Sequence, residues 1–315
     1  MTGYELSERT KKAIRELKLT PIESIFENKI LGILYGNSGV LEYYNFEKKE
    51  QKKLAKTNSN IWSVHHDSKT KNTHYDDDHQ YIICLENGLK QERANFITSI
   101  NSFNGLILDA GRYGLFNTET GKELISKKSL ADKNIDDIES LNSFNNSLYA
   151  LVTNNDDSNS VVEINTSNPD KFFIGEMIKN YDVKHTKICD FIIIPQGKLV
   201  GDNGKDYPFS IITCVNISYL DLNGEKIIET DVNKSSNQSI IRLKLIKSTP
   251  TTAEVIYSGA NLNAIYKANI NLQEKIATTK PIIENLLTNV LAALQPIFKR
   301  DSHKHLSSIG EVITR

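Results

Sequence analysis

Ile97-Thr98-Ser99-Ile100-Asn101-Ser102-Phe103-Asn104-Gly105 and Ile138-Glu139-Ser140-Leu141-Asn142-Ser143-Phe144-Asn145-Asn146 are near-copies, 41 residues apart. A chain that repeats at such a spacing folds as a series of like units, each burying its apolar face against the next. The opening tetrad, Ile-x-Ser-(Ile/Leu/Val), recurs at Ile22-Glu23-Ser24-Ile25 and Ile61-Trp62-Ser63-Val64, and more weakly at Ile188-Cys189-Asp190-Phe191. The steps between copies are 39, 36, 41 and 50 residues.

A second motif follows each tetrad: an apolar strand that enters a Gly/Asn/Asp turn. Its clearest copy is Leu106-Ile107-Leu108-Asp109-Ala110-Gly111-Arg112-Tyr113-Gly114, and Tyr75–Cys84, Leu34–Leu41, Leu148–Leu151 with Asn154–Asp157, Leu199–Gly204 and Ile256–Tyr266 resemble it. Alternation then marks a third strand, as in Tyr219-Leu220-Asp221-Leu222, and turns such as Glu119-Thr120-Gly121-Lys122 lead to a short fourth. Four strands in about 40 residues is the size of one propeller blade. The rungs of a β-helix are shorter, and a sandwich would not repeat at these intervals. The reading is therefore an all-β, six-bladed β-propeller of four-stranded antiparallel blades, with short helices at both ends. The long unit at 188–237 leaves a seventh blade, or an insertion at Asp202–Phe209, open. The Ser of each tetrad is small enough for an inner strand at a crowded axis.

In these motifs (Ile-x-Ser-Ile, the Asn104-Gly105 turn before Leu106–Gly111, and the closing Thr120-Gly121-Lys122-Glu123) the chain resembles β-propeller repeat proteins of the WD-repeat-like kind over residues 21–276. It lacks the Gly-His and Trp-Asp dipeptides of true WD repeats, and its one tryptophan is Trp62. The resemblance is thus to the architecture. It implies a surface that binds a partner and brings no catalytic residues with it.

Residues 1–20 are expected to hold an N-terminal helix over 5–19, capped by Ser7 and ended by Pro21. Residues 277–298 are read as an amphipathic C-terminal helix with Pro281 in its first turn. Its stripe is Ile282, Ile283, Leu286, Leu287, Val290, Leu291 and Leu294. The 282–294 face is expected to dock on the propeller or to support self-association. Residues 299–315 are expected to be a mobile tail.

Formal net charge is −1, unevenly spread: residues 1–20 carry +2 and 275–315 carry +3, which leaves −6 on the body between them. An acidic body argues against a broad nucleic-acid footprint, which needs clustered Lys and Arg. Cys84, Cys189 and Cys214 are odd in number, widely spaced and in apolar surroundings. They read as buried thiols in a reducing compartment. With no signal-peptide pattern and no long apolar run, the expected setting is the cytoplasm, with no membrane partner.

Loops between second and third strands share a face with the connections between blades, where a propeller is expected to take its ligand. The residues assigned to that face are Asp76, Asp77, Asp78, His79, Arg112, Tyr113, Asp156, Asp157, Asp202, Lys205 and Asp206. The cluster His74-Tyr75-Asp76-Asp77-Asp78-His79 offers His74, Asp76, Asp78 and His79 as ligands for a divalent cation, Ca²⁺ or Mg²⁺, although its spacing matches no EF-hand loop. Asp76 and Asp109 share a repeat position, where a carboxylate is expected to hold turn amides. There is no Gly-x-Ser-x-Gly, and Gly201-Asp202-Asn203-Gly204-Lys205 lacks the spacing of a phosphate loop, so no catalytic residue is assigned. The function expected is a non-catalytic propeller scaffold for a protein or peptide. The alternative is a metal-dependent hydrolase or lactonase with its site over the channel, for which the His74–His79 cluster is the support.

Overall fold

A computed structural model describes residues 30–37, 40–45, 50–57, 61, 63–67, 70, 72–77, 80–93, 96–181, 188–215, 219–229, 239–260, 265–283 and 306–314. Among these, the strands form six four-stranded antiparallel sheets. The first holds β1 (Ile30–Asn37), β2 (Val40–Asn45) and β3 (Glu50–Lys56). Blade two is β4 (Val64–His66), β5 (Thr73–Asp77), β6 (Tyr81–Cys84) and β7 (Lys90–Glu92). Blade three is β8 (Ile97–Phe103), β9 (Leu106–Gly111), β10 (Gly114–Asn117) and β11 (Glu123–Ser126), followed by the short helix α1 (Lys127–Ala131). Blade four is β12 (Ile135–Phe144), β13 (Ser147–Asn154), β14 (Asn159–Asn165) and β15 (Phe173–Tyr181). Blade five is β16 (Ile188–Val200), β17 (Asp206–Val215), β18 (Tyr219–Leu222) and β19 (Glu225–Glu229). Blade six is β20 (Ser239–Ser248), β21 (Thr252–Ala260), β22 (Ile265–Asn271) and β23 (Ile276–Ile283). The last strand, β24 (Leu306–Thr314), pairs with β1 and completes blade one. Strands β4, β8, β12, β16, β20 and β24 adjoin one another in turn, so the sheets close into a ring: a six-bladed β-propeller.

The repeated tetrad has a geometric meaning. In β8, Ile97 pairs with Gly111 and Ser99 with Ala110, so Thr98 is an extra residue, a β-bulge. The same shift falls at Glu139 between Ile138 and Ser140, at Cys189 between Ile188 and Asp190, and at Ile241 between Ile240 and Arg242. The unspecified second position of the tetrad is the bulged residue, and the bulge turns the third position toward the next blade. There the Ile100 N–H donates to Ser63 Oγ (2.9 Å) and the Leu141 N–H to Ser99 Oγ (3.2 Å). Ser140 donates to Asp190 Oδ1, and Asp190 Oδ2 accepts from the Leu243 N–H at 2.8 Å. The Asn101 amide donates to the Leu141 carbonyl at 2.7 Å. Small polar side chains thus link blades two to six around the axis, and buried backbone donors find partners there.

Two-residue turns join the inner strands to their neighbours. Asn104 (φ 50°) with Gly105 (φ 83°), and Asn145 (φ 48°) with Asn146 (φ 62°), adopt the left-handed pair that a tight hairpin requires. Gly114 has no substitute: at φ +133° an added Cβ would lie 2.0 Å from the Ile125 carbonyl oxygen.

Apolar cores fill the spaces between blades. Ile138, Leu141, Val152, Val162 and Ile164 meet Leu108, Leu115 and Leu124 between blades three and four. Phe191, Phe209 and Leu199 meet Tyr149, Val161 and Ile178 between four and five. Between blades two and three the described apolar core is only Ile82, Ile97, Ile100 and Ile107. Polar side chains fill out that interface: Asp76 is wholly buried, and Arg93 pairs with buried Asp109 at 3.4 Å.

Two boundaries differ from the sequence reading. Residues 277–283, assigned to the start of the terminal helix, lie in β23, where Pro281 pairs opposite Tyr266 on the outermost strand of blade six. An edge strand tolerates the missing proline N–H, so the proline does not mark a helix start there. Residues 306–314, assigned to a mobile tail, form β24 because β1 offers them an unpaired edge. The 5–19 helix, residues 284–294 of the apolar stripe and the tetrad at Ile22 lie outside the described residues. The inner position that the Ile22 tetrad was expected to fill is occupied by β24.

Candidate binding faces

The second-to-third-strand turns of blades three and four carry Arg112 with Tyr113 and Asp156 with Asp157, as their sequence positions suggest. Arg112 and Tyr113 form the β9–β10 turn, and the Arg112 N–H donates to the Phe96 carbonyl at 3.3 Å, which joins the turn to the segment entering blade three. Tyr113 is 45% exposed and Phe96 48%, and Arg112 is exposed as well. Two aromatic rings and a guanidinium on one face are the residue types that dominate partner binding. Phe96 escaped the sequence reading because it lies in a connection between blades, outside the repeated motifs. Asp156 accepts from the amide (3.1 Å) and hydroxyl (2.6 Å) of Ser158, which hold its carboxyl below the usual carboxylate range. Asp157, at φ 64°, closes that turn. These two acids shape their loop while staying at the surface.

Asp76 is a correction to the binding-face assignment. It is 0% exposed, and its Oδ1 accepts from the Ser63 N–H at 2.6 Å, anchoring the tetrad of blade two. Asp109, its repeat partner, accepts from Thr118 Oγ1 at 3.0 Å and pairs with Arg93. The Ser63 amide and the Thr118 hydroxyl are reached across the sheet, because both carboxylates face the interface between blades two and three. Asp77 is buried and pairs with Lys90 at 3.2 Å, while Lys90 stands 3.8 Å from the Tyr81 ring centroid. His74 lies cross-strand from both His65 and Cys84. It is buried, and its Nδ1 has no hydrogen-bond partner among the described residues. Burial, with His65 adding to it, pushes the imidazole down to about 4. Asp78 and His79 lie outside the described residues. Among the described residues no three His, Cys, Asp or Glu side chains are grouped so as to hold a metal ion.

Asp202, Lys205 and Asp206 are a second correction. They sit in or at the end of the β16–β17 connection, which joins first and second strands, so they do not share the face of Arg112 and Tyr113. The apolar run Leu199-Val200 before Gly201 imitates the end of a second strand but is the end of a 13-residue first strand. Its hairpin reaches β15 of the preceding blade. Asp202 accepts from Lys179 Nζ and from the Asn180 N–H, both at 2.8 Å, and Lys205 pairs with Glu176 at 2.6 Å.

At the axis, Asp190, Ser63, Ser99, Ser140, Asn101 and Asn142 line a cavity of about 210 Å³. Asp190 is its one carboxylate. Both oxygens are engaged, with Ser140 and the Phe191 N–H on Oδ1 and the Leu243 N–H on Oδ2. That carboxylate holds blades together. No helix among the described residues is long and apolar enough to cross a membrane.

No family model and no curated protein matches the chain. Among solved structures, it is similar to the β-propeller domain of Myceliophteria thermophila Cps50 (Swd1). The identity is 11%, over 82% of this chain and 88% of that one, with a TM-score of 0.45.

Proposed function

We propose that this propeller is a non-catalytic scaffold that binds a protein or peptide on the face carrying the second-to-third-strand turns. The observation that supports this most is the exposed group Arg112, Tyr113 and Phe96 on adjoining segments. Large amphipathic side chains offer contact area at low entropic cost and anchor partners where they cluster. The axial carboxylate, by contrast, is committed to blade-to-blade hydrogen bonds. A cytoplasmic setting suits Cys84 and Cys214, which are buried and unbridged.

Affinity capture with the whole chain tests the reading, comparing wild type with the double variant Arg112→Glu/Tyr113→Ala. Both positions are exposed, so the variant should keep the wild-type melting temperature. A bound protein that is lost with the variant supports the assignment. A captured set that is identical for the two proteins refutes this face, and turnover of an ester or lactone by the purified chain refutes the non-catalytic role.

A further inference from the structure

A further cleft lies away from the axis, on the side of blade four that faces blade three, and is lined by blade four and by the Lys133–Ile135 segment that enters it, without Arg112 or Tyr113. It measures about 600 Å³, within the range of ligand pockets, about 300–1,000 Å³. Strand lengths explain why it is open. The outer strand of blade three, β11, has four residues and gives way to α1, whereas the outer strand of blade four, β15, has nine. Leu124 and Leu130 cover blade four near Ile164 and Phe172, with the Phe172 N–H donating to the Leu124 carbonyl at 2.9 Å. Farther along the same face the covering strand has ended.

Strand β15 is shaped toward this gap. Its register against β14 slips twice, so that Ile174, Met177 and Asn180 stand opposite Ile164, Val162 and Ser160 in turn. An unbroken strand would send residues three apart to opposite faces; here two extra residues bring Ile174, Met177 and Asn180 to the same side. Met177 is left 43% exposed over buried Val162. Around this thioether and aliphatic floor the lining is built of amides and hydroxyls, among them Asn134, Asn155 and Ser158. The side-chain amides of Asn134 and Asn155 have no hydrogen-bond partner among the described residues, whereas Asn154 and Asn180 are tied to Ser160. The charges on the lining are one lysine and one aspartate, Lys133 and Asp156.

We propose that this inter-blade cleft binds an uncharged, extended peptide segment with an aliphatic or methionine side chain seated against Met177 and Val162. Amide side chains both donate and accept, as a peptide main chain does, so Asn134 and Asn155 match an extended backbone. The one lysine and one aspartate of the lining balance, so the cleft carries no net charge to draw in a charged segment and favours one without net charge. No aromatic ring lines the cleft to stack on a sugar face. The inference deepens the partner-binding reading and rests on it, but it names a site separate from the Arg112 turn.

The test is selection of a display library of unbiased short linear peptides on the whole chain, with enriched peptides remeasured on variants. The expected outcome is enrichment of uncharged sequences with a Met, Leu or Ile anchor. Their affinity should fall about tenfold or more with Met177→Glu, fall less with Asn155→Ala, and stay unchanged with Arg112→Glu. Met177 and Asn155 are exposed, so unchanged melting temperatures would show the variants folded. Enriched peptides that ignore Met177→Glu overturn the site. So does enrichment of none, or binding of a neutral oligosaccharide that Met177→Glu abolishes. If the captured protein still depends on Arg112 and Tyr113 while Met177→Glu changes nothing, the scaffold reading stands and the cleft does not.

Discussion

At the scale of a single residue, His74 couples the polar interface of blades two and three to pH. Burial lowers its imidazole from 6.5 to about 4, His65 and His66 act in the same direction, and Asp67 opposes them. Between those values the unfolded chain takes up a proton that the folded chain refuses, so stability falls as pH falls through that window. The full shift corresponds to roughly 3 to 3.5 kcal/mol. Glu86, whose carboxylate accepts from the Thr73 N–H at 2.7 Å, is raised by burial and has the opposite sign: it adds stability as the solution becomes acidic. Comparing wild type with His74→Gln separates the two. Urea unfolding at pH 7 and near pH 4.5 should show a larger acid loss for wild type, and parallel losses would sink the assignment.

Among elements, the bulged inner strand is the unit on which the ring is built. Ser99→Ala removes one acceptor and leaves the Leu141 N–H buried and unbonded, at a cost of about 1–2 kcal/mol. Asp190→Ala orphans the amides of Phe191 and Leu243 and the hydroxyl of Ser140, which belong to three blades, and should cost about 3 kcal/mol or more. Equal midpoints in urea for the two variants would show that the axial hydrogen bonds do not carry the blade contacts. The tetrads that announce these strands were legible at Ile61, Ile97, Ile138 and Ile188, since an apolar–x–small–apolar pattern survives wherever the third residue must fit near the axis. They were not legible in β20, where Ile240-Ile241-Arg242-Leu243 keeps the bulge but replaces the small residue with arginine. Nor was β24 legible, where Ile309-Gly310-Glu311-Val312 follows a long apolar segment that reads as helix. Periodicity reports which residues face inward and is silent on which strand of a blade they occupy, and so Asp202–Asp206 went to the wrong turn. Asp76 shows the same limit at the site: its repeat position suggests a carboxylate that holds amides and its run of acids suggests surface, and only the fold shows that it is buried on the Ser63 amide.

For the whole molecule, stability depends on closing the ring, and the chain closes it with strands from far-separated parts of its length. Strand β24 supplies the inner strand of a blade whose other three strands are β1, β2 and β3, and it also adjoins β4 and β20 along the axis. Deleting residues 306–315 would therefore leave the inner edge of β1 with unpaired N–H and C=O groups, and blades two and six would lose their neighbour at the axis. A loss of several kcal/mol in a chain of this size corresponds to a melting temperature lower by about 10 °C or more. A synthetic peptide spanning 306–315 binds only the folded, open ring, so it should restore the midpoint in proportion to the logarithm of its concentration. Amide exchange in β1 to β3 should be fast in the truncated chain and slow again with the peptide, since those strands depend most directly on closure. A truncated protein that melts at the wild-type temperature, or one that the peptide leaves unchanged, would mean that the other five blades hold the ring without the strand that closes it.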